Sequence, residues 1–220
     1  MQLQKSSDNK NFKELEEVIK LVKKNCTTKF NESIDVSFRL NLKQKKEEIN
    51  IRTVVNLPNG NGKKIKIAVL CEDTKIQEAK DGAADLYGAE KLITDITAGK
   101  INFDKLIATP GMMSKMGKLG KILGPKGLMQ NPKFGTVTND IKSAIKALKS
   151  GQIEIKNDKD GNIGASIGKK NFTDVKIVEN YKAIKDSLLK ERPNGIKGNF
   201  ILSSYLSSTM GISYRLKSTK

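Results

Sequence analysis

The stretch "IKIAVLC", residues 65–71, decides the fold predicted for this chain. It is almost continuously apolar, whereas a strand with one buried face alternates apolar and polar residues. Helical sequence follows from about residue 74 to 99, and another apolar strand is predicted at "KLIATP", residues 105–110. A strand, a helix and a strand with apolar residues on both strand faces are typical of a parallel sheet covered by helices. The middle of the chain is therefore predicted to be an α/β layer.

The residues before this stretch follow a different pattern. From Ser33 to Leu42 polar and apolar residues alternate strictly, which predicts a strand with one buried and one wet face. A second such strand is predicted near residues 49–57, after the charged turn "KQKKEE" at residues 43–48. Apolar residues at helical spacing predict an amphipathic helix near residues 11–25.

The residues after the middle segment return to that alternating pattern. "NDIKSAIKALK", residues 139–149, predicts a helix that ends at Gly151, and "NIGASIG", residues 162–168, predicts a short strand. A helix is predicted from Val175 to Leu188, stopped by the Pro-Asn-Gly sequence at 193–195. "FILSSYLSSTMGISYRL", residues 200–216, predicts two strands around Gly211.

An insertion explains this organisation most economically, because both ends of the chain share one design and the middle has another. The predicted class is α/β: a split α+β domain of residues 1–62 and 157–220, with an α/β domain inserted at residues 63–156. The two crossing links are predicted at "NGNGKK" and "KNDKDGN", which are rich in Gly, Asn and Lys and would form a hinge.

The charge of the chain predicts a polyanionic partner. The net charge is +17 at pH 7, and each Lys or Arg that neutralises a phosphate releases a condensed counterion. Nucleic acid is the leading candidate, and a basic protein without such a partner is the alternative.

Several other classes of function are disfavoured by composition. The chain has no histidine, which removes the usual general base and the commonest metal ligand. Cys26 and Cys71 are far apart, so buried thiols in a reducing compartment are expected, with no metal and no cofactor. The longest apolar run, residues 67–71, is too short to cross a bilayer, so we expect a soluble intracellular protein with no membrane partner.

The stretch "GKLGKILGPKGLMQNPKFGT", residues 117–136, is called here the glycine–lysine segment, and it invites a test for a phosphate-binding loop. That loop needs a second Gly five residues after the first, but Ile122 and Pro125 stand at those positions, and no Ser or Thr follows a Gly-Lys pair. An ATPase is therefore disfavoured. The segment is predicted to be a tight structural loop whose glycines adopt unusual backbone angles, with lysines available for looser RNA contact.

Two short motifs carry chemistry suited to RNA. "SSTMG", residues 207–211, places hydroxyls and a bare glycine backbone at a predicted strand end, where they could meet phosphates and sugars. "TKFNES", residues 28–33, places a lysine beside an aromatic ring, which suits phosphate and base contact. An ordinary Ser/Thr-rich edge strand and a core phenylalanine are the alternative interpretations.

Together these motifs resemble the ribosomal protein L-one family in its bacterial form. The motifs that carry the resemblance are "TKFNES", the glycine–lysine segment, "GNIGASIGK" and "SSTMG", in this order, and the similarity covers nearly all 220 residues. The resemblance implies a split domain with an inserted three-layer, Rossmann-like α/β domain. Three positions depart from the family pattern: Gln130 stands where a proline is usual, Gly164 where histidine is frequent, and the basic N-terminal lead is short.

The resemblance also implies the residues that contact RNA. They belong mainly to the split domain: Lys29, Phe30, Glu32, Ser33, Gly168, Lys169, Ser203, Thr209, Met210 and Gly211. A secondary RNA contact is expected in the inserted domain at Lys115, Lys118, Lys121 and Lys126. The departure at Gly164 puts one further contact in doubt.

The resemblance implies a structural constituent of the large ribosomal subunit that is not an enzyme. Its expected partners are large-subunit rRNA at the mobile stalk, exit-site tRNA whose release it assists, and the leader of its own mRNA, whose translation such proteins can repress. The protein is expected to be a monomer when free of the ribosome. The expected location is on the ribosome in the cytoplasm, with an organellar ribosome as the alternative. Two alternatives remain open at this point: an α/β enzyme acting on a phosphorylated substrate through the inserted domain, and a basic protein on acidic membranes.

Overall fold

The computed structural model describes residues 14–42, 50–130, 132, 135–193, 196 and 198–217. In chain order its helices and strands are α1 (Leu15–Lys24), β1 (Ser33–Leu40), β2 (Arg52–Asn56), β3 (Ile67–Leu70), α2 (Ile76–Asp81), β4 (Leu86–Gly88), α3 (Glu90–Thr97), β5 (Lys105–Ala108), α4 (Met113–Met116), α5 (Gly120–Leu123), α6 (Ile141–Lys149), β6 (Gln152–Lys156), β7 (Asn162–Lys169), α7 (Asp174–Lys190), β8 (Ile201–Ser208) and β9 (Tyr214–Arg215). Three short 3-10 helices lie at Asp73–Lys75, Pro110–Met112 and Gly117–Leu119. The predicted turn "KQKKEE" and the first residues of the predicted helix near 11–25 lie outside the described residues.

The chain forms two compact units. Residues up to Gly62 and residues from Gly151 onward make the split unit, and Lys63–Ser150 make the inserted unit. The second boundary falls at Gly151 rather than at residue 157, because β6 pairs antiparallel with β2 of the split unit. Gly151 adopts a left-handed backbone with φ of 104° beside Gly60, and its carbonyl accepts a hydrogen bond from the Leu57 amide at 3.3 Å.

The segment "KNDKDGN" is a hairpin turn inside the split unit and not a link between units. It joins β6 to β7, and the Asp158 carboxylate accepts hydrogen bonds from the Asn162 amide at 2.6 Å and the Asp160 amide at 3.0 Å. These bonds hold the pKa of Asp158 below its ordinary value, with the Asn162 amide as the main cause. Aspartate closing a turn onto its own backbone explains the composition that suggested a link.

The split unit is built on a four-stranded antiparallel sheet in the order β7-β1-β8-β9. The apolar residues of β1 predicted to be buried form the core with α1 and α7: Ile34, Val36, Phe38 and Leu40 are at most 2% exposed. The Phe38 and Tyr181 rings pack 5.6 Å apart, centroid to centroid. Alternation along β1 therefore predicted its buried face correctly.

The inserted unit has a three-stranded parallel sheet in the order β4-β3-β5. Side chains of β3 alternate between two cores: Ala68 and Leu70 pack with α3, α4 and α5, whereas Ile67 and Val69 pack with α2 and α6. Helices on both faces explain why "IKIAVLC" is continuously apolar. The α/β class is confirmed.

The single helical region predicted over residues 74–99 is wrong. The structure divides it into α2, β4 and α3. α2 ends at Asp81 and is capped by Gly82, and the following Ala83 is left-handed with φ of 57°. The chain then enters β4, which pairs parallel with β3. The short strand escaped detection because its first two side chains, Leu86 and Tyr87, are about 40% exposed and show no buried pattern.

The glycine–lysine segment begins as helix rather than loop. Its first residues form the 3-10 helix Gly117–Leu119 and then α5, which bury Leu119 and Leu123 against Met112 and Met116. Of its described glycines, only Gly127 and Gly135 have the positive φ that was expected. Apolar residues at helical spacing therefore determine the conformation of its first part, residues 117–123.

Candidate nucleic-acid interface

One face of the antiparallel sheet is polar, and it is called here the polar sheet face. Because β1 alternates, its polar residues share the side opposite the core, and the strand register brings polar residues of β7, β8 and β9 beside them. Its members are Ser33, Asp35, Ser37, Arg39, Asn162, Gly164, Ser166, Ser203, Tyr205, Ser207 and Arg215. Hydroxyls, amides and guanidinium groups on one surface can bind phosphates and sugars.

The two predicted RNA motifs meet at one end of this sheet, called here the strand end. The Ser33 amide donates to the Thr209 hydroxyl at 3.0 Å, and the Thr209 amide donates to the Ser33 carbonyl at 3.1 Å. Lys169, which pairs with Ser33 from β7, donates from Nζ to the Ser33 hydroxyl at 3.0 Å. "TKFNES" and "SSTMG" therefore form one continuous surface although they are far apart in sequence.

Glu32 supports the strand end from below. It is 1% exposed, and its carboxylate accepts hydrogen bonds from the Thr28 hydroxyl at 2.8 Å and the Met210 amide at 3.2 Å. Burial acts to raise the pKa of Glu32, but the hydroxyls of Ser208 and Thr28 and the amides of Met210 and Thr28 outweigh it, so the pKa lies below its ordinary value. Glu32 thus joins the two motifs from inside, and its carboxylate is not presented to a ligand as the resemblance implied.

Gly168 is also buried, and packing explains why it is glycine. A side chain there would meet the Phe172 ring at 2.9 Å. The same ring and the Lys169 stem lie 2.9–3.2 Å from where a side chain on Gly62 would sit. Gly168 therefore lets Phe172 pack beneath Lys169, whose ammonium group reaches the strand end.

Gly211 is required by a neighbouring hydroxyl rather than by its backbone angle. A side chain on Gly211 would collide with the Ser208 hydroxyl, and Gly211 is not among the glycines of positive φ. The Gly211 amide donates to the Ser208 carbonyl at 3.3 Å. Glycine is therefore required at position 211 because the Ser208 hydroxyl leaves no room for a side chain.

The remaining side chains of the strand end project into solvent. Phe30 is 54% exposed and Met210 is 68% exposed, and Lys29 and Thr209 are also exposed. An aromatic ring that is exposed rather than packed in the core can stack on a base, and a methionine side chain adapts to irregular surfaces. The alternative that Phe30 is a core residue is wrong.

Ser203 lies apart from the other predicted residues. It pairs with Arg39, six residues along β8 from Thr209, so at roughly 3.3 Å per residue it is about 20 Å from the strand end. It lies on the polar side of β8 but is only 7% exposed, so its hydroxyl is not presented to a ligand as the resemblance implied.

Two arginines on this face were missed by the sequence reasoning. Arg39 is exposed on β1, and Arg215 on β9 lies with its guanidinium carbon 6.0 Å from the centroid of the Tyr205 ring. Alternation along β1 signals that Arg39 is on the wet face. No sequence signal indicates that the two-residue strand β9 joins the same sheet.

Comparison with known proteins identifies the family. Residues 22–212 match the model of the Ribosomal protein L1p/L10e family. The chain belongs to this family. This confirms the L-one membership that the motifs indicated, and the family consists of structural ribosomal proteins rather than enzymes.

Individual relatives of this L1-family chain align over most of its length. "Large ribosomal subunit protein uL1" of Pelagibacter ubique is 60% identical over 204 residues, which is 92% of this chain and 89% of the relative. "Large ribosomal subunit protein uL1c" of Phaeodactylum tricornutum is 45% identical over 93% of this chain and 89% of its own length. The uL1 of Prochlorococcus marinus is 46% identical over 91% and 85%.

The structure shows the contacts made at two of the positions that depart from the L1 pattern, Gln130 and Gly164. Gln130 is 7% exposed, and its side-chain amide donates to the Leu128 carbonyl at 3.0 Å, so it closes a turn in place of a proline. Gly164 is exposed on the polar sheet face, and a side chain there would meet nothing within 4 Å. The space at Gly164 is open to a ligand.

The lysines of the predicted secondary contact belong to the inserted unit. Lys115 lies 3.7 Å from the Glu90 carboxylate, an ion pair that is largely solvent-exposed, and Lys121 and Lys126 are exposed. Lys118 lies in the 3-10 helix Gly117–Leu119. Lys115, Lys121 and Lys126 are exposed around a sheet that is covered on both sides by the described apolar residues.

The described residues form neither a metal cluster nor a membrane-spanning helix. Within the described ranges, no group of three or more His, Cys, Asp or Glu side chains is arranged to hold a metal ion. Among the helices that the structure describes, none has the length and apolar character needed to cross a membrane.

Proposed function

We propose that this chain is a structural constituent of the large ribosomal subunit and binds large-subunit rRNA through the polar sheet face and the strand end. The observation that carries this proposal is the juxtaposition of exposed Phe30 and Met210 with Lys169, Ser33 and the sheet hydroxyls. Arg39 and Arg215 would meet phosphates, and Phe30 would stack on an unpaired base. The names of the uL1 relatives support the ribosomal part of the proposal.

Crosslinking the full chain to total RNA and sequencing the bound fragments tests the partner. We expect the fragments to map to one structured site in large-subunit rRNA. Fragments spread over unrelated RNAs in proportion to their abundance would contradict specific binding.

A matched pair of variants tests the surface. Phe30→Ala removes an exposed ring of the strand end, and Tyr87→Ala removes a ring of similar exposure, 41%, in the inserted unit. Stacking on a base contributes about 1–3 kcal/mol, so Phe30→Ala should weaken binding to the identified fragment at least about fivefold. Tyr87→Ala should leave affinity unchanged, and equal losses would place the RNA elsewhere.

The resemblance extends the proposal to exit-site tRNA and to the protein's own mRNA. On ribosomes we propose that the chain assists release of deacylated tRNA, which would leave more slowly from ribosomes lacking it. Off the ribosome, as a monomer, it would repress a reporter carrying its own mRNA leader if that leader mimics the rRNA site. A reporter insensitive to added protein would remove the second role and leave the first intact.

The proposed location is on the ribosome in the cytoplasm. A location in an organelle is the alternative, and fractionation followed by immunoblotting of ribosomes from each compartment distinguishes the two.

A further inference from the structure

A basic pocket lies in the split unit, far from the strand end. It is placed between the C-terminal half of α7 and the start of β8, and its volume is about 200 Å³. Lys185, Arg192 and Lys217 line it, and none of its lining residues is acidic. Ile201, which also lines it, is the first residue of β8, whereas Thr209 follows the last.

Arg192 is held in place at this pocket. Its Nη2 group donates to the Ile196 carbonyl at 2.7 Å and to the Gly198 carbonyl at 3.0 Å. Gly198 adopts a left-handed backbone with φ of 80°, a conformation that favours glycine. A cation fixed in this way loses little freedom when an anion binds.

Two buried hydroxyls line the same pocket. Tyr181 is 8% exposed and Ser204 is 5% exposed, and the Tyr181 hydroxyl lies 3.3 Å from that of Ser204. Burial raises the pKa of Tyr181, so its hydroxyl stays protonated near neutral pH and can donate. If Tyr181 donates to Ser204, the Ser204 hydroxyl keeps its own proton to donate to a ligand.

Part of the remaining lining is apolar, beside the polar Asn199. Leu189, Phe200 and Ile201 contribute to its walls. Since a water molecule takes up about 30 Å³ in the liquid, a volume of about 200 Å³ holds roughly six or seven waters, which is room for a phosphate and part of the group attached to it.

We propose that this pocket binds a phosphate group. Lys185, Arg192 and Lys217 supply positive charge on its rim, and the apolar wall contacts the attached group. The Ser204 hydroxyl, which accepts a hydrogen bond from Tyr181, donates to the phosphate from the floor of the pocket. The phosphate could come from an RNA backbone or from a free phosphate compound, and the chemistry is shared. This site is separate from the polar sheet face and does not depend on the function proposed for that face.

Calorimetric titration with inorganic phosphate and with adenosine monophosphate tests the site. Sodium chloride at matched ionic strength controls for general screening. The test variant is Lys217→Gln, and the matched control is Lys190→Gln, which removes the same charge from an exposed position of α7 outside the pocket. Thermal melting checks that both variants are folded.

We expect saturable binding of both phosphate compounds, weakened about tenfold by Lys217→Gln and unchanged by Lys190→Gln. Absence of saturable binding would overturn the proposal, as would equal weakening by the two variants. In that case the three cations would only cover the apolar end of the core with their side-chain stems.

Titration with an RNA duplex at several salt concentrations distinguishes the two sources. If the phosphate belongs to RNA, Lys217→Gln should also reduce the log–log salt slope by about 0.7–0.9 relative to Lys190→Gln. An unchanged slope, together with weakened binding of inorganic phosphate, assigns the pocket to a free phosphate compound.

Discussion

The two sheets of this chain differ in what their faces meet. The parallel sheet of the inserted unit has apolar cores on both faces, so most of its strand residues are buried. The antiparallel sheet of the split unit buries one face and presents serines, arginines and a tyrosine on the other. Only the second arrangement offers a broad, rigid surface on which backbone register fixes the spacing of polar groups.

Charge density alone would have ranked these regions in the opposite order. Between Asp104 and Asp140 the inserted unit has six lysines and no acidic residue. Of these, Lys115, Lys121 and Lys126 are exposed point charges beside a covered sheet, which suits non-specific attraction. Specific recognition needs groups held at fixed positions, so we expect the less densely charged sheet to contribute most of the specificity.

The largest expected loss of RNA affinity comes from Gly211→Val, at the strand end of the antiparallel sheet. A side chain at Gly211 collides with the Ser208 hydroxyl, so this variant should lose about 1–3 kcal/mol of stability and distort the strand end. We expect affinity for the rRNA fragment to fall about thirtyfold or more, which corresponds to about 2 kcal/mol. Filter binding and thermal melting measure the two effects.

Two further variants control this prediction. Gly117→Val adds the same side chain in the inserted unit, where it meets nothing within 4 Å, and should change neither property appreciably. Adding Ser208→Ala to Gly211→Val removes the colliding hydroxyl and should recover part of the stability. Failure of the double variant to recover any would assign the defect to something other than this contact.

A smaller loss of RNA affinity is expected from Arg39→Gln. Arg39 is exposed on the polar sheet face, and replacing it should weaken binding about tenfold and lower the log–log salt slope by about 0.7–0.9. The matched change in the inserted unit is Lys121→Gln, for which we expect a similar change in slope on random RNA but little loss of discrimination. If Lys121→Gln instead abolishes discrimination, the glycine–lysine segment becomes the primary site.

The pH dependence of stability tests whether the buried Glu32 carboxylate stabilises the strand end. Glu32 has a pKa below its ordinary value of 4.5, so its contribution to stability is complete above pH 4.5 and is lost as the pH falls through its lowered pKa. Glu32→Gln removes that contribution, and its melting temperature should be lower than wild type at pH 7. At pH 7 we expect a loss of RNA affinity of only about threefold, because Glu32 acts through Thr28 and Met210.

The stability of wild type must be compared with that of Glu32→Gln because other carboxyl groups also titrate in this acidic pH range. The pKa values of Asp104 and Asp158 also lie below their ordinary values, with Lys63 and Asn162 as their main partners. Wild type and Glu32→Gln therefore both lose stability in acid. The difference between wild type and Glu32→Gln isolates Glu32 and should narrow between pH 5 and strongly acidic pH. A difference that stays constant would mean that the carboxylate charge contributes nothing.

The fold was predictable where hydrophobic period and burial coincide. Alternation along β1 and the apolar run in β3 identified the two kinds of sheet, because each pattern follows from which strand faces are covered. Prediction failed where composition suggested loops: the glycines of the glycine–lysine segment concealed the helical spacing of Met112, Met116, Leu119 and Leu123. It also failed at β6, whose partner β2 lies about a hundred residues earlier in the chain.

The sequence predicted which residues lie near one another at the candidate site better than it predicted which of them are exposed. Short motifs and family resemblance indicated Phe30, Thr209 and Lys169, which the structure brings to one end of a sheet. That Glu32 is buried depends on packing against residues such as Met210, which no local pattern specifies. Arg215 joins the polar sheet face only through pairing of β9 with β8, a long-range contact.

The smallest expected effect comes from removing the inserted unit altogether. Leu57 and Gly151 are hydrogen-bonded and Gly60 lies against Gly151, so residues 1–62 can be joined to residues 151–220 through a short glycine linker. Both the polar sheet face and the strand end remain in this shortened chain, and each unit has its own core. We therefore expect it to fold, with affinity for the rRNA fragment within about threefold of wild type, less than about 1 kcal/mol. Its salt slope should be shallower, since the exposed lysines of the inserted unit are lost. A folded shortened chain that binds the fragment no better than random RNA would transfer specificity to the covered parallel layer and reverse the comparison between the two sheets.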